Sequence, residues 1–250
     1  MKGGIAIGLE LQIPYHDERI FKSFVEWLSD YAPAELVIIG DFLDCPAPSR
    51  WNRGTYEEYL GNLQGEVNTG QRKLEAIREV YSGPAWYLLG NHEERIDTYA
   101  RTKAPAFYSL DALKVSSLLR FADFEIREAP PFYSPTAGLV VTHGHLGVLS
   151  RYGGGTAIAI ARNQGLSVVC GHTHRHGIIY ERFGRKTIFG METGHMMSVH
   201  KAAYVKSGNP NWSAGWGCVE VDKRGGLWPS MVTYRNGHLQ GTFAGNMDVV

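Results

Sequence analysis

Metal-binding side chains follow short apolar runs at four places along the chain: Asp41 with Asp44, Asn91 with His92, His143, and His172 with His174. A single Gly-Asp at the end of a strand is usually a helix cap or a turn. The recurrence of the pattern instead favours one shared site, because a buried carboxylate must be paired or bound to a metal ion. Imidazole, carboxylate and amide oxygen together form a ligand set for Mn²⁺, Fe or Zn²⁺.

The apolar runs predict the elements that position these residues. Residues 36–39 and 166–170 are rich in β-branched residues and predict buried strands. Residues 18–31 carry an apolar stripe at helical spacing, and Asp17 is their expected N-cap. With a first strand over 4–13, the chain starts as a βαβ unit with parallel strands. Open α/β sheets bind ligands at the carboxyl ends of such strands, so we expect the site at that edge.

Later segments alternate between helical and strand patterns. Helices are predicted over 71–81 and 156–163, with a mixed helical pattern over 96–124. The short runs predicted as strands after the last His motif cover 177–180, 186–189, 217–221 and 230–234. Gly-rich turns separate them, which favours a second, largely antiparallel sheet. We predict a single domain over residues 1–250.

Composition narrows the functional classes. Lys and Arg total 25 and Asp and Glu total 25, so the net charge is zero. No global field then attracts the protein to nucleic acid or to a membrane surface. Three scattered cysteines favour a reducing compartment, and neither a signal pattern nor a membrane-spanning run is recognisable. We therefore expect a cytoplasmic protein with no membrane partner.

The motifs resemble those of the calcineurin-like metallophosphoesterase family. Its Gly-Asp-x-x-Asp, Gly-Asn-His-Asp/Glu, His-Gly and Gly-His-x-His series occurs here, in family order, at residues 40–44, 90–93, 143–144 and 171–174. Each motif alone is weakly specific, whereas four in order form a strong signal, and the resemblance spans roughly residues 5–195. It implies an α/β fold of two packed mixed β-sheets flanked by helices, and a metal-dependent phosphoric ester hydrolase.

The resemblance also implies a role for each residue of the site. The implied metal ligands are Glu10, Gln12, Asp41, Asn91, His143, His172 and His174. Asp41 would bridge two divalent cations, and Asn91 belongs with Asp41 and His92 to the predicted catalytic group. His92 would not bind metal but would protonate the leaving oxygen or stabilise the phosphoryl charge. A hydroxide between two cations would attack the phosphate in line.

The first motif departs from the family pattern. Where the family has Asp-x-His, this chain has Glu10-Leu11-Gln12. The longer carboxylate and the neutral amide favour hard, oxygen-preferring ions, so we predict Mn²⁺, with Fe, Zn²⁺ or Mg²⁺ as alternatives. A one-metal or weakly active enzyme remains open at this point. Residues 11–17 are similar to phage-encoded members of the family, which would place the protein in the host cytoplasm.

The substrate class follows less directly. We predict a phosphodiesterase or nuclease acting on nucleic-acid or cyclic-nucleotide diesters, partly from the aromatic and basic residues over 45–68. The alternatives are a phosphomonoesterase or protein phosphatase, and a non-catalytic nucleotide-binding relative with a degraded first metal site. The predicted substrate-binding residues are Arg95, His145 and His195. Pairing of Arg95 with Glu94 or with a helix end is an equal alternative.

Overall fold

The computed structural model describes residues 3–50, 54, 62–201 and 210–241. Part of the segment 45–68, including Trp51 and Arg53, lies outside the described residues. The helices are α1 (Glu18–Tyr31), α2 (Leu63–Val80), α3 (Glu94–Lys103), α4 (Val115–Leu118) and α5 (Gly155–Gln164), with short 3₁₀ turns at Pro105–Phe107, Asp111–Leu113 and Val199–Lys201.

The described residues also form strands that belong to two sheets. They are β1 (Gly4–Gly8), β2 (Glu35–Ile38), β3 (Ala85–Tyr87), β4 (Ile126–Glu128), β5 (Tyr133–Thr136), β6 (Leu139–Thr142), β7 (Ser167–Cys170), β8 (His176–Phe183), β9 (Lys186–Thr193), β10 (Gly215–Val221), β11 (Leu227–Arg235) and β12 (His238–Gly241). The first sheet has the order β12-β11-β10-β1-β2-β3-β4, and the second has the order β5-β6-β7-β9-β8.

Both sheets are mixed. In the first sheet β1 to β4 are parallel, while β10 to β12 are antiparallel to their neighbours. In the second sheet β6, β7 and β9 are parallel, and β5 and β8 are antiparallel edge strands. The parallel strands of each sheet therefore direct their carboxyl ends to a common edge, as the βαβ pattern predicted.

Alternating side chains divide the core into layers. Ile5, Ile7 and Val37 of the first sheet pack against Val141 and Val169 of the second. The opposite face of the first sheet packs on α1 and α2 through residues such as Phe24, Trp27, Leu74 and Trp216. The opposite face of the second sheet packs on α5. Because each strand alternates its side chains between faces, the result is two packed sheets between helical layers, which confirms the predicted fold class.

The structure corrects the predicted distribution of strands. The segments at 177–189 form β8 and β9, which extend the sheet of β6 and β7, whereas β10 and β11 pair beside β1 in the first sheet. The prediction that they form one separate antiparallel sheet was wrong. The first strand ends at Gly8 and not near residue 13, because Leu9 and Gln12 have left-handed backbone angles, with φ of 74° and 53°.

The N-cap prediction agrees with the structure, since the Asp17 side chain accepts a hydrogen bond from the Arg19 N–H. α2 begins at Leu63, eight residues before the predicted start. In the part of the chain that the structure describes, no helix combines the length and the apolar character needed to cross a membrane.

Candidate metal centre

Every predicted ligand lies just beyond the carboxyl end of a parallel strand. Asp41 follows β2, Asn91 follows β3, and Glu10 follows β1, all in the first sheet. His143 follows β6 and His172 follows β7 in the second sheet. The two sheets pack face to face, so their edges bring these side chains together between them. The sequence predicted the convergence but assigned it to one sheet.

A left-handed turn aims Asp41 into the centre. Asp41 has φ of 51° and follows Gly40, which has φ of 91°. A side chain at Gly40 would approach the Gly90 nitrogen to 2.6 Å, and one at Gly90 would approach Asp41 Oδ1 to 2.2 Å. Glycine is required at both positions because the turns after β2 and β3 pack directly on each other.

Glu93 stabilises this turn by accepting hydrogen bonds from its backbone. Its Oε2 accepts hydrogen bonds from the Asp41 and Gly90 N–H groups, each at 2.9 Å. Its Oε1 accepts from the Leu43 N–H and the Tyr87 hydroxyl, again at 2.9 Å. A carboxylate with no exposed surface thus has four donors, which offset its burial. Sequence analysis quoted Glu93 only as part of a motif. Its acidic type at the start of α3, two residues after a predicted ligand, was the available signal.

We call the first group of ligands the asparagine half: Asn91, His143 and His172. His143 Nε2 lies 3.2 Å from Asp41 Oδ2 and 3.1 Å from Asn91 Oδ1. His143 Nδ1 lies 2.8 Å from the Ile39 carbonyl oxygen, to which it can only donate. In the neutral imidazole, Nε2 is therefore an acceptor that faces two other acceptors, an arrangement that requires a cation between them.

Without a metal ion that cation is a proton. Burial lowers the pKa of His143, but the neighbouring Asp41 carboxylate raises it more, to about 9. The pKa of Asp41 is raised by burial but lowered further by His143 and His92, so it ends well below its ordinary value. Asp41 thus supplies a buried negative charge, and His143 can exchange its proton for a metal ion. Both properties suit a divalent cation.

His172 completes the asparagine half. Its ligand atom, with those of Asp41 and His143, lies in a group whose members are all within 4.8 Å of one another, the one such His, Cys and acidic group that the described residues form. Burial and His143 lower the pKa of His172 to about 4, so the ring is neutral at physiological pH. A neutral imidazole is the form that binds metal ions.

We call the second group of ligands the glutamate half: Glu10, Gln12 and His174. Glu10 Oε1 lies 3.0 Å from His174 Nε2, and Glu10 Oε2 accepts a hydrogen bond from the His172 N–H at 2.9 Å. Gln12 Nε2 donates to Asp41 Oδ2 at 3.1 Å and lies 3.3 Å from His174 Nε2. The Gln12 N–H₂ group thus lies between Asp41 and His174, which the resemblance implies are ligands of the second ion.

Polar atoms in both halves lack hydrogen-bond partners. Across the described residues, Gln12 Oε1, His172 Nδ1 and His174 Nδ1 are buried and accept or donate no hydrogen bond. Unpartnered buried polar groups are unfavourable, and in native proteins they often mark an ion or water. The donor set fits a divalent cation in the asparagine half. In the glutamate half a ligand role for Gln12 Oε1 requires its amide to leave Asp41.

His92 lies beside the centre and not in it. Its Nδ1 is 3.0 Å from both the Asp44 carbonyl oxygen and Asp44 Oδ1. The backbone N–H of His92 donates to Asp41 Oδ1. Its Nε2 is 3.7 Å from Asp41 Oδ2. Burial lowers the pKa of His92, but Asp41 and Asp44 raise it more, so the net shift is upward. Asp44 is buried against this imidazole.

Arg95 contacts this pair as well. Its Nη1 donates to the Asp44 carbonyl oxygen at 2.7 Å, and its Nη2 lies 3.0 Å from His92 Nε2. The structure pairs Arg95 with Asp44 and not with Glu94. The Glu94 carboxylate lies 3.5 Å from His145 Nε2 instead. Phosphate binding by Arg95 stays a prediction.

The other two predicted substrate residues occupy different positions. The His145 ring lies 5.3 Å from that of His143 at the mouth of the centre. His195 is buried, its Nδ1 accepts from the Met197 N–H, and its ring lies 5.4 Å from that of His174. Burial and the nearby His174 lower the pKa of His195 well below its ordinary value. His195 therefore packs behind a predicted ligand, while His145 faces the entrance.

An apolar rim borders the centre on the side of the second sheet. Residues 146–152, which follow His145, contain the exposed side chains Leu146, Val148, Leu149 and Tyr152. The Asn211 side chain donates to the Arg151 carbonyl oxygen, and the neighbouring Trp212 ring lies 4.4 Å from the His174 ring. Exposed apolar groups clustered beside a polar centre mark a surface for binding.

Comparisons with known proteins agree with this fold. The chain aligns over 96% of its length with Vps29 of Entamoeba histolytica, solved in complex with Zn²⁺, at a TM-score of 0.51 and 11% identity, covering 97% of that chain. Vps29 of Chaetomium thermophilum gives a TM-score of 0.51 at 12% identity over 96% of this chain and 95% of that one. These structures have the calcineurin-like metallophosphoesterase fold, and this chain has the same fold.

Sequence relatives specify the class further. The Gene 54 protein of Mycobacterium phage D29 is 35% identical over 230 residues, which cover 89% of this chain and 90% of that protein. The Gene 54 protein of Mycobacterium phage L5 is 34% identical with the same coverage. No family model matches the chain. The chain belongs to the family of these mycobacteriophage Gene 54 proteins, which confirms the predicted phage-type membership.

Proposed function

We propose that the protein is a divalent-metal-dependent phosphodiesterase with a dinuclear centre, acting on nucleic-acid or cyclic-nucleotide diesters. The observation that carries the proposal is the group of acceptor atoms on Asp41, Asn91 and His143, which lie 3.1 to 3.2 Å apart around His143 Nε2. Such a group is stable only around a cation. The Zn²⁺ complex of a Vps29 with the same fold is consistent with this.

The residues divide the work as follows. Asp41, Asn91, His143 and His172 would hold one ion, and Asp41 with the glutamate half the other. When bound, the ions neutralise phosphoryl charge and lower the pKa of water so that it attacks at neutral pH; we propose Mn²⁺ as the preferred ion.

His92 would give its proton from Nε2 to the leaving oxygen. Asp44 orients the ring by holding Nδ1, and the neighbouring carboxylates shift the pKa of His92 upward. Arg95 Nη2 lies 3.0 Å from Nε2 and can only donate to it, so protonation at Nε2 requires this guanidinium to turn toward the substrate. Because Asp44 and Arg95 engage the two ring nitrogens, neither is free to bind metal.

The apolar rim favours a diester over a phosphoprotein. Tyr152 is 75% exposed and offers a ring face, and such faces bind nucleobases by stacking without regard to sequence. The rim carries Arg151 and contains no acidic residue over 144–156, so it does not repel a polyanion. The alternative as a phosphomonoesterase would use the same metal centre without need of this rim.

The test is hydrolysis of bis-(p-nitrophenyl) phosphate and of p-nitrophenyl phosphate with and without Mn²⁺. We expect Mn²⁺-dependent turnover of the diester that is lost on chelation, and slower turnover of the monoester. Faster monoester turnover would replace the proposal with the phosphomonoesterase. No turnover with any metal ion, together with intact metal binding, would favour a non-catalytic relative.

The relatives also bear on where the protein acts. Two relatives are phage proteins, so we propose that the protein works in the cytoplasm of an infected bacterial host. Fractionation of infected cells with an antibody to the protein tests this, and recovery with the membrane pellet would contradict it.

A further inference from the structure

A small pocket opens beside Asn91 of the asparagine half. It has a volume of about 250 Å³, and Asn91 forms part of its wall. The remaining lining residues are Pro48, Arg50, Glu94, Arg95, Thr98, Tyr99 and Thr102. Pockets for drug-sized ligands measure about 300–1,000 Å³, so this one suits a single small group.

One face of α3 forms the floor of the pocket. Arg95, Thr98, Tyr99 and Thr102 recur at the three- and four-residue spacing that puts them on one side of the helix. The helix turns its apolar residues Ile96 and Ala100 into the core instead. Among the described residues, this polar face lies along the pocket and not in the core.

Arg95 faces both the pocket and the catalytic group. Its side chain is 20% exposed, and the contacts to Asp44 and His92 engage one N–H on each terminal nitrogen. A guanidinium has five N–H donors, so donors remain to bind an anion. Arg50, which also lines the pocket, is exposed and lies in the segment that follows Asp44.

The charges of the pocket favour an anion. Two guanidinium groups line it, and Glu94 is the one acidic residue among its lining residues. The Glu94 carboxylate lies 3.5 Å from His145 Nε2, on the side of the metal centre. The first turn of α3 adds the positive end of the helix dipole, which stabilises nearby negative charge.

We propose that this pocket is a subsite for a second phosphate group of the substrate, next to the scissile phosphate at the metal centre. The substrate would then be an oligonucleotide, whose neighbouring phosphate Arg50 and Arg95 bind. The inference rests on the proposed function and narrows it, since a cyclic nucleotide carries one phosphate only.

The experiment compares dithymidylate with its 5′-phosphorylated and 3′-phosphorylated forms as substrates with Mn²⁺. We expect a terminal phosphate at one end to raise kcat/KM at least about tenfold, as charge-assisted hydrogen bonds do. Arg50→Ala should reduce that ratio to near one. Arg101→Ala, an exposed position on α3 outside the pocket, should leave the ratio unchanged and serves as the matched control.

The outcomes separate this inference from the proposed function. A ratio near one at both ends in the wild type, with the diester bond cleaved, overturns the subsite and leaves the function intact. A ratio that Arg50→Ala leaves unchanged also overturns it. Absence of all hydrolysis overturns the function, and calorimetric titration with the same dinucleotides then tests the subsite: equal affinity with and without the terminal phosphate overturns it.

Discussion

The two halves of the metal centre share Asp41 but differ in how complete they are without a metal ion. In the asparagine half, the Ile39 carbonyl fixes the tautomer of His143 and turns its Nε2 toward two other acceptors. In the glutamate half, Gln12 donates to Asp41, and Glu10 accepts from the His172 N–H. One half requires a cation at His143 Nε2. In the other half the Gln12 amide already donates to Asp41, although Gln12 Oε1 and His174 Nδ1 have no hydrogen-bond partner among the described residues.

This difference predicts unequal binding of two ions. A second ion must displace the Gln12 hydrogen bond to Asp41 before the amide oxygen can become a ligand. A hydrogen bond to a charged group contributes about 1.5–3 kcal/mol. The glutamate half should therefore bind its ion about ten- to a hundredfold more weakly than the asparagine half.

The largest effect is expected from Asp41→Asn, because both halves use this carboxylate. Loss of the negative charge should abolish Mn²⁺ binding in both halves and lower diester hydrolysis at least about a thousandfold, which corresponds to about 4 kcal/mol. Metal content and turnover measure this. A variant that keeps a tenth of the wild-type activity would contradict a centre built around Asp41.

The second prediction compares one substitution in each half. His143→Ala should remove all tight Mn²⁺ binding, since it leaves the buried Asp41 and Asn91 oxygens facing each other without the imidazole. His174→Ala should remove the weaker ion and leave the tighter one. Equilibrium dialysis measures how many Mn²⁺ ions each variant binds and how tightly. If both variants lose the same ions, the two halves do not differ.

The third prediction concerns pH and belongs to the asparagine half. Below about pH 9 His143 is protonated in the metal-free protein, so binding an ion at Nε2 releases one proton. Mn²⁺ affinity should rise about tenfold per pH unit from pH 6 to about 9 and then level off. His172, with a pKa near 4, is already neutral and releases none. Calorimetry in buffers of different ionisation enthalpy counts the protons, and a pH-independent affinity would refute this.

The same shift affects stability without metal. The pKa of His143 in the folded protein lies above its ordinary value of 6.5, so its contribution is fully present below pH 6.5 and is lost as pH rises through about 9. Thermal unfolding of the metal-free protein between pH 6 and 9 measures this loss. The metal-loaded protein is the control and should show a weaker dependence.

The smallest effect is expected from Gln12→His. The substitution removes the amide that holds Asp41 and supplies the imidazole of the family pattern, so affinity for the weaker ion should rise about tenfold. Gln12→Ala removes the hydrogen bond without adding a ligand and is the matched control. If both variants bind the second ion as the wild type does, the Gln12 amide does not control that half.

Much of the centre could be predicted because its ligands follow strands directly. A β-branched run before Gly40-Asp41 identifies both the strand and its carboxyl end. The sheet that each strand joins is not visible in such a run, since alternation specifies a buried face and no partner. For that reason the sequence predicted β10 and β11 in a second sheet, although in the structure they pair beside β1.

Contacts that depend on left-handed turns could not be predicted from the sequence either. Gln12 reaches Asp41 because the chain leaves β1 at Gly8 and turns with φ of 53° at Gln12, a conformation that a non-glycine residue seldom adopts. Glu93 binds four donors from two segments, residues 41–43 and 87–90, and only the folded turns bring those donors together. Residue type predicted which side chains converge, and tertiary structure decided their partners.

The most direct test of the account is a Mn²⁺ titration of the metal-free wild-type protein, followed by calorimetry and by electron paramagnetic resonance of the bound ions. We predict two ions per chain with affinities that differ about ten- to a hundredfold, and spin coupling between them when both sites are filled. Two ions of equal affinity would contradict the difference between the halves. A single ion, even at millimolar Mn²⁺, would contradict the dinuclear centre.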